Sequence, residues 1–182
     1  GIAEVLNNIG ENVQGEVFGG KIRGLLPNIE DWKKSGGPIL RGTVLGFFMG
    51  ILPGVGNIVP VFLSYGLGKK ISKHPERFGT GEIAGLAGPE SCNNAAAETT
   101  FVPLISMGIP TTSMSALLLA ALMIYGLQPG PLLMHSSPDL FWGVVASMYV
   151  GNVMLLVLNL PLIPLWVKLL KVPYNYLAVG VL

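Results

Sequence analysis

Two segments join backbone-freeing residues to neutral polar side chains: Pro53-Gly54-Val55-Gly56-Asn57 and Gly108-Ile109-Pro110-Thr111-Thr112-Ser113. Both interrupt long uncharged stretches. Interrupted helices expose N-terminal amides, which favour anions, and C-terminal carbonyls, which can hold a cation. Gly54 and Gly56 permit left-handed or close-approach backbone, and Asn57 adds an amide. Thr111, Thr112 and Ser113 place three hydroxyls at the start of a helix, a position suited to helix capping and to anion binding alike. Two readings therefore stand side by side, a pair of packing kinks with a capped helix or a pair of binding elements. Two such breaks so close in sequence favour binding.

Further candidates lie between the breaks. Asn93 and Asn94 are either ligands or interhelical hydrogen-bonding groups, and Glu90 is either a ligand for a coupling ion or a hydrated loop carboxylate. His74 sits in a basic loop and His135 in a proline-rich one. Neither has the nucleophile and acid partners of a hydrolytic triad, and no His-rich metal motif or P-loop is present. The single cysteine, Cys92, cannot form an internal disulfide. These absences argue against an enzyme and against a cofactor other than a coupling Na⁺ or H⁺. A formal net charge of +1 argues against a nucleic-acid partner.

The elements that must position these residues are apolar. Residues 42–68, 99–138 and 140–167 contain no Asp, Glu, Lys or Arg, in a chain of mean hydropathy +0.60. A charge costs roughly 2.5–3.5 kcal/mol at a bilayer centre, so three such stretches indicate an all-α integral membrane protein with several spans. Residues 1–41, punctuated by Gly15, Gly19, Gly20, Gly24, Pro27, Gly36, Gly37 and Pro38, read as a turn-rich cytoplasmic or interfacial lead-in. Trp32, Lys33, Lys34 and Arg41 anchor it at the interface.

Basic residues flank residues 42–68 on both sides, with Lys69, Lys70, Lys73 and Arg77 following. Because basic loops stay cytoplasmic, a re-entrant helical hairpin with its tip at Pro53–Asn57 satisfies that rule and a single crossing does not. Each arm of about 11 residues would reach roughly 16 Å, close to the bilayer midplane. Pro89-Glu90 reads as an interruption of the next segment. Residues 101–127 read as a transmembrane helix broken at Gly108-Ile109-Pro110. The loop 128–139 lacks Lys and Arg and falls on the periplasmic side, and residues 140–167 cross back towards Lys168 and Lys171. Absence of an initiator Met and an end at Ala178–Leu182, inside a hydrophobic segment, lead to the expectation that residues 42–182 are a transport half-domain within a longer permease.

Several stretches together resemble the large membrane subunit of the tripartite tricarboxylate transporters. They are Gly50-Ile51-Leu52-Pro53-Gly54-Val55-Gly56, Phe78-Gly79-Thr80-Gly81-Glu82-Ile83-Ala84-Gly85, Pro89-Glu90-Ser91-Cys92-Asn93-Asn94-Ala95-Ala96, Gly108-Ile109-Pro110, Gly126-Leu127-Gln128-Pro129-Gly130-Pro131, and Gly151-Asn152 with Asn159-Leu160-Pro161. The chain is similar to the second of that subunit's two related halves. The resemblance implies a permease of the bacterial inner membrane, completed by the first half of the same chain. It implies a small membrane subunit and a periplasmic binding protein as partners, a carboxylate as substrate, and uptake driven by an ion gradient. Pro53, Gly54, Gly56, Asn57, Asn93, Asn94, Gly108, Pro110, Thr111, Thr112 and Ser113 would form this half's share of the substrate site. Glu90, Asn93 and Asn94 would serve ion coupling. Thr111 stands where the family pattern carries glycine. A re-entrant-loop channel and a single-component symporter are the rival readings.

Overall fold

The computed structural model describes residues 26–169, and among these every regular element is helical. The glycines at 15–24, Lys171 and the terminal Ala178–Leu182 lie outside the described residues. The described residues fall into two units, one of Pro27–Val145 and one that takes in residues 146–169.

The first unit opens with α1, Ile29–Ile51. It overturns the expectation of a turn-rich lead-in as far as residue 41. Asn28 starts the helix: its side chain accepts from the amides of Glu30 and Asp31, at 2.8 and 2.9 Å, and its own amide donates to the Asp31 carboxylate at 2.9 Å. This reciprocal cap satisfies amides that would otherwise have no partner, and two acidic residues in the first turn suit the helix dipole. Gly36, Gly37 and Pro38 are carried inside the helix. At 23 residues α1 is about 35 Å long, far beyond an 11-residue arm.

After the turn at residues 52–57 the chain resumes as α2, Ile58–Ile71. A 3₁₀ turn at Pro75–Arg77 leads into a loop where Gly79 and Gly81 have φ of +94° and +99°. Phe78 is buried there, and its ring meets Tyr65 edge to face with centroids 5.5 Å apart. Helix α3, Ala84–Thr99, follows. Pro89 does not interrupt it: the proline sits in the second turn, where it removes one hydrogen bond and the helix continues.

Both α1 and α2 pack against α3, and small residues set the separation. Gly42, Gly46 and Gly50 recur at every fourth position and are all buried. A Cβ added to Gly46 would lie 2.9 Å from the Ala95 Cβ and would run into the Cys92 carbonyl oxygen. One at Gly50 would fall 2.8 Å from the Ala96 Cα. The facing surface of α3 carries Gly88, Cys92, Ala96 and Thr99, also buried. Closeness brings polar atoms within reach: Ser91 Oγ donates to the Ile39 carbonyl at 3.2 Å, and Cys92 Sγ to the Pro60 carbonyl at 3.3 Å. Small residues at every fourth position are the usual means of bringing helices together where no aqueous hydrophobic effect drives them.

Helices α4, Phe101–Met107, and α5, Ser113–Ile124, flank the second break, and α6, Leu133–Ser136, is one turn in the following loop. Ile105, Leu118, Leu122, Leu133, Leu140, Phe141 and Val144 surround a cavity of about 30 Å³. Its lining is wholly apolar, so an anion could enter only by losing its hydration without replacement.

Helix α7, Pro138–Leu169, begins in the first unit and ends in the second. Its stretch Pro138–Val167 has a mean hydropathy of 1.9 and is, among the described residues, the one helix long and apolar enough to cross a membrane. Leu155, Leu156, Val157 and Leu158 are consecutive and each 57–62% exposed, so the helix is apolar all round with no buried stripe. That pattern belongs in lipid or against other membrane helices. The shorter Ser113–Ile124 is apolar too.

Candidate functional site

The two breaks meet. The Gly54 amide donates to the Thr111 carbonyl oxygen at 3.3 Å, which joins the turn after α1 to the segment before α5 by a main-chain hydrogen bond. Gly54 and Gly56 have φ of +80° and +65°, and an added Cβ at either would meet nothing within 4 Å. Glycine is needed there for its backbone conformation and not for space, because a Cβ in the left-handed region costs roughly 1–2 kcal/mol.

The breaks are finished differently. The second pairs much of its own backbone and the side chains of Thr112 and Ser115, though not the Thr111 hydroxyl. Gly108, at φ +70°, ends α4 with its amide on the Leu104 carbonyl at 3.0 Å, and Ile109 donates to Pro103 at 3.1 Å. Gly130 donates to the Ile105 carbonyl at 3.0 Å, and the nearby Pro129 carbonyl would lie 2.9 Å from a Gly108 Cβ. At the start of α5, Thr112 Oγ1 accepts from the Ser115 amide at 3.2 Å while Ser115 Oγ accepts from the Thr112 amide at 2.9 Å. That reciprocal cap occupies the Thr112 hydroxyl. Ser113 is exposed.

The first break is left open. Asn57 occupies the N-cap of α2 yet makes no side-chain cap bond, so the leading amides of that helix are not served by it. Asn57 Oδ1 is buried with no hydrogen-bond partner, and so is Thr111 Oγ1, whose residue is only 6% exposed. Buried polar atoms are nearly always paired in folded proteins. Here the unpaired ones lie in the two segments that the Gly54–Thr111 bond holds together. Among the candidates from the breaks, Pro53 and Gly54 are exposed, and Gly56, Asn57, Gly108, Pro110 and Thr112 are half-buried.

The remaining candidates lie on α3. Asn94 is exposed and its Nδ2 donates to the Glu90 carbonyl one turn back, at 3.0 Å. Glu90 is exposed and Asn93 half-buried. Ser115 and the Gly42–Gly46–Gly50 row were not among the candidates from sequence. Their signals were present as Thr-x-x-Ser at 112–115 and as glycine at every fourth position.

Comparison with known proteins gives a family. The model described as the tripartite tricarboxylate transporter TctA family matches residues 1–182. An "uncharacterized 52.8 kDa protein in TAR-I ttuC' 3'region" of Agrobacterium vitis is 48% identical over 177 residues, 97% of this chain and 35% of that protein. An "uncharacterized protein in TAR-II ttuC' 3'region" of the same organism is 52% identical over 132 residues, 72% of this chain and 54% of that protein. The chain thus spans about a third and about half of the lengths of these relatives. No solved structure matches it.

Proposed function

The chain belongs to the tripartite tricarboxylate transporter TctA family, and from that membership we propose that it is the second half of a permease that takes up a carboxylate across the bacterial inner membrane. In this reading a periplasmic protein delivers the substrate, a small membrane subunit accompanies the permease, and an ion gradient drives uptake. Pro53–Asn57 is the tip of a re-entrant hairpin, and residues 108–113 are the break of a transmembrane helix.

The observation that carries the proposal is the main-chain bond between Gly54 and Thr111. It draws the start of α5 up to the turn from which α2 begins, and a helix start is where negative charge is favoured. No Lys or Arg occurs in residues 42–68 or 99–138, so these segments hold an anion with backbone amides and hydroxyls rather than with a cationic side chain. Hydrogen bonds to a charged group contribute about 1.5–3 kcal/mol each, so two or three of them suffice for a micromolar to millimolar transport site. The Thr111 hydroxyl, buried and unpaired, donates one of them. Helix-end recognition reads charge and leaves size and substitution pattern to the side chains around it.

The test is uptake of a panel of radiolabelled mono-, di- and tricarboxylates by cells or proteoliposomes containing the full-length permease and its partners. Uptake of at least one carboxylate, saturable and dependent on the binding protein, is expected. Uptake that neither saturates nor needs the binding protein would replace the carrier with a channel.

A further inference from the structure

We propose that the far end of α2 binds the headgroup of an anionic phospholipid whose acyl chains lie along the exposed flank of the same helix; this rests on the membrane reading of the chain and not on its substrate. The uncharged part of α2, Ile58–Gly68, rises about 16 Å, the depth of one leaflet of a core roughly 30 Å thick. Pro60 and Ser64 are buried, whereas Ile58, Phe62, Leu63 and Leu67 are exposed. Phe62 stands seven residues before Lys69, and Leu63 seven before Lys70. That spacing keeps each pair on one helical face, so two apolar rows end in exposed lysines. Lys73, just beyond the helix, is exposed as well.

The chain does not neutralise these lysines. His74 lies 3.3 Å from Glu76, and among the described residues none of Lys69, Lys70 and Lys73 is ion-paired. The negative end of α2 amounts to about half a charge against three. Arg77 and Glu82 nearby cancel one another in number. The start of α1 lies at the same end of the bundle. Gly42 sits against Gly88 and Gly50 against Ala96, so α1 runs parallel to α3. Pro60 meets Cys92 and Tyr65 meets Gly85, so α2 runs antiparallel to it. Lys33, Lys34 and Arg41, all exposed, therefore join the lysines of α2, and the Asp31 carboxylate opposing them is engaged by the Asn28 amide. A protein helix laid along the flank of α2 would have to bury unpaired ammonium groups, at a heavy desolvation cost. A lipid brings a phosphate to them and leaves their remaining hydrogen-bond donors in water. Zwitterionic lipids carry a cation beside the phosphate, so the surplus positive charge selects an anionic headgroup.

The experiment places a bimane fluorophore on Leu67→Cys of the full-length permease in phosphatidylcholine bilayers, with the parent lacking that cysteine as background. Quenching by spin-labelled phosphatidylglycerol is compared with quenching by spin-labelled phosphatidylcholine. The anionic lipid should associate roughly fivefold more strongly, the factor expected of a single lysine near an anionic surface. Replacing Lys69, Lys70 and Lys73 together by Gln should bring the ratio close to one, and replacing all three by Arg, which keeps the charge, should preserve it. Equal quenching by the two lipids, with the three lysines intact, overturns the proposal without recourse to any charge variant. A preference undiminished in the Gln variant also overturns it, because the headgroup then lies elsewhere. Millimolar inorganic phosphate, compared with chloride at equal ionic strength, should leave the preference in place; its loss would make this a site for free phosphate and overturn the lipid. Transport is not read in this measurement, so a failure of carboxylate uptake leaves its result standing.

Discussion

Neighbouring threonines at the second break have unlike tasks. Thr112 is engaged by Ser115 as a helix cap, and Thr111 has a buried hydroxyl with no partner. Removing a cap of this type costs about 1 kcal/mol of stability, so Thr112→Ala should lower the thermal midpoint of the purified permease while leaving substrate KM nearly unchanged. A large KM change would instead make Thr112 a ligand. Gly108 is constrained twice, by its φ of +70° and by the Pro129 carbonyl. Gly108→Ala should therefore destabilise by more than the roughly 1–2 kcal/mol of the left-handed backbone, read as loss of folded permease in mild detergent. Sequence alone could locate Thr111-Thr112-Ser113 beside a proline but could not divide labour among them. The division depends on Ser115, a turn further on, and on Gly54, remote in sequence.

Among the elements, α1 and α3 show how little room the design leaves. At Gly46 a helix-propensity gain of about 1 kcal/mol from alanine competes with overpacking, which typically costs 1–3 kcal/mol. The obstructing atoms are the Cys92 carbonyl and the Ala95 Cβ, and backbone cannot swing aside, so overpacking wins. Gly46→Val should reduce stability and assembly clearly, whereas Gly36→Ala, with nothing within 4 Å of the added carbon, should raise stability by about 0.5–1 kcal/mol. Thermal unfolding of the two variants side by side checks the contrast. The breaks at Pro53-Gly54 and Gly108-Ile109-Pro110 were legible because positive φ demands glycine and proline follows a helix end. The start of α1 was not read correctly: Gly36-Gly37-Pro38 suggested turns, yet Asn28 with Asp31 was a cap in plain sight. Pro89 misled similarly, because packing on α1 and α2 holds α3 together across one missing hydrogen bond.

For the whole molecule, the exposed apolar circumference of α7 defines what the chain needs around it. With Leu155 to Val157 open on every side, the helix fits a bilayer or a partner subunit. Placing Arg at Leu156 should impair insertion, since a central charge costs roughly 2.5–3.5 kcal/mol. In the proposed orientation Lys73 lies on the cytoplasmic face and His135 on the periplasmic one. With buried Cys92 as background, a membrane-impermeant maleimide should label His135→Cys in intact cells and Lys73→Cys only after lysis. Reversed labelling would invert the orientation.

The link from Gly54 to Thr111 is made of peptide groups alone, so side-chain changes that keep glycine at 54 need not disturb it. Residues on either side can therefore drift to suit a different cargo while the junction persists. In the proposed carrier, a motion that keeps this bond moves the two broken segments together. Spin labels beside positions 54 and 111 should keep their mutual distance through the transport cycle while their distances to the rest of the permease change.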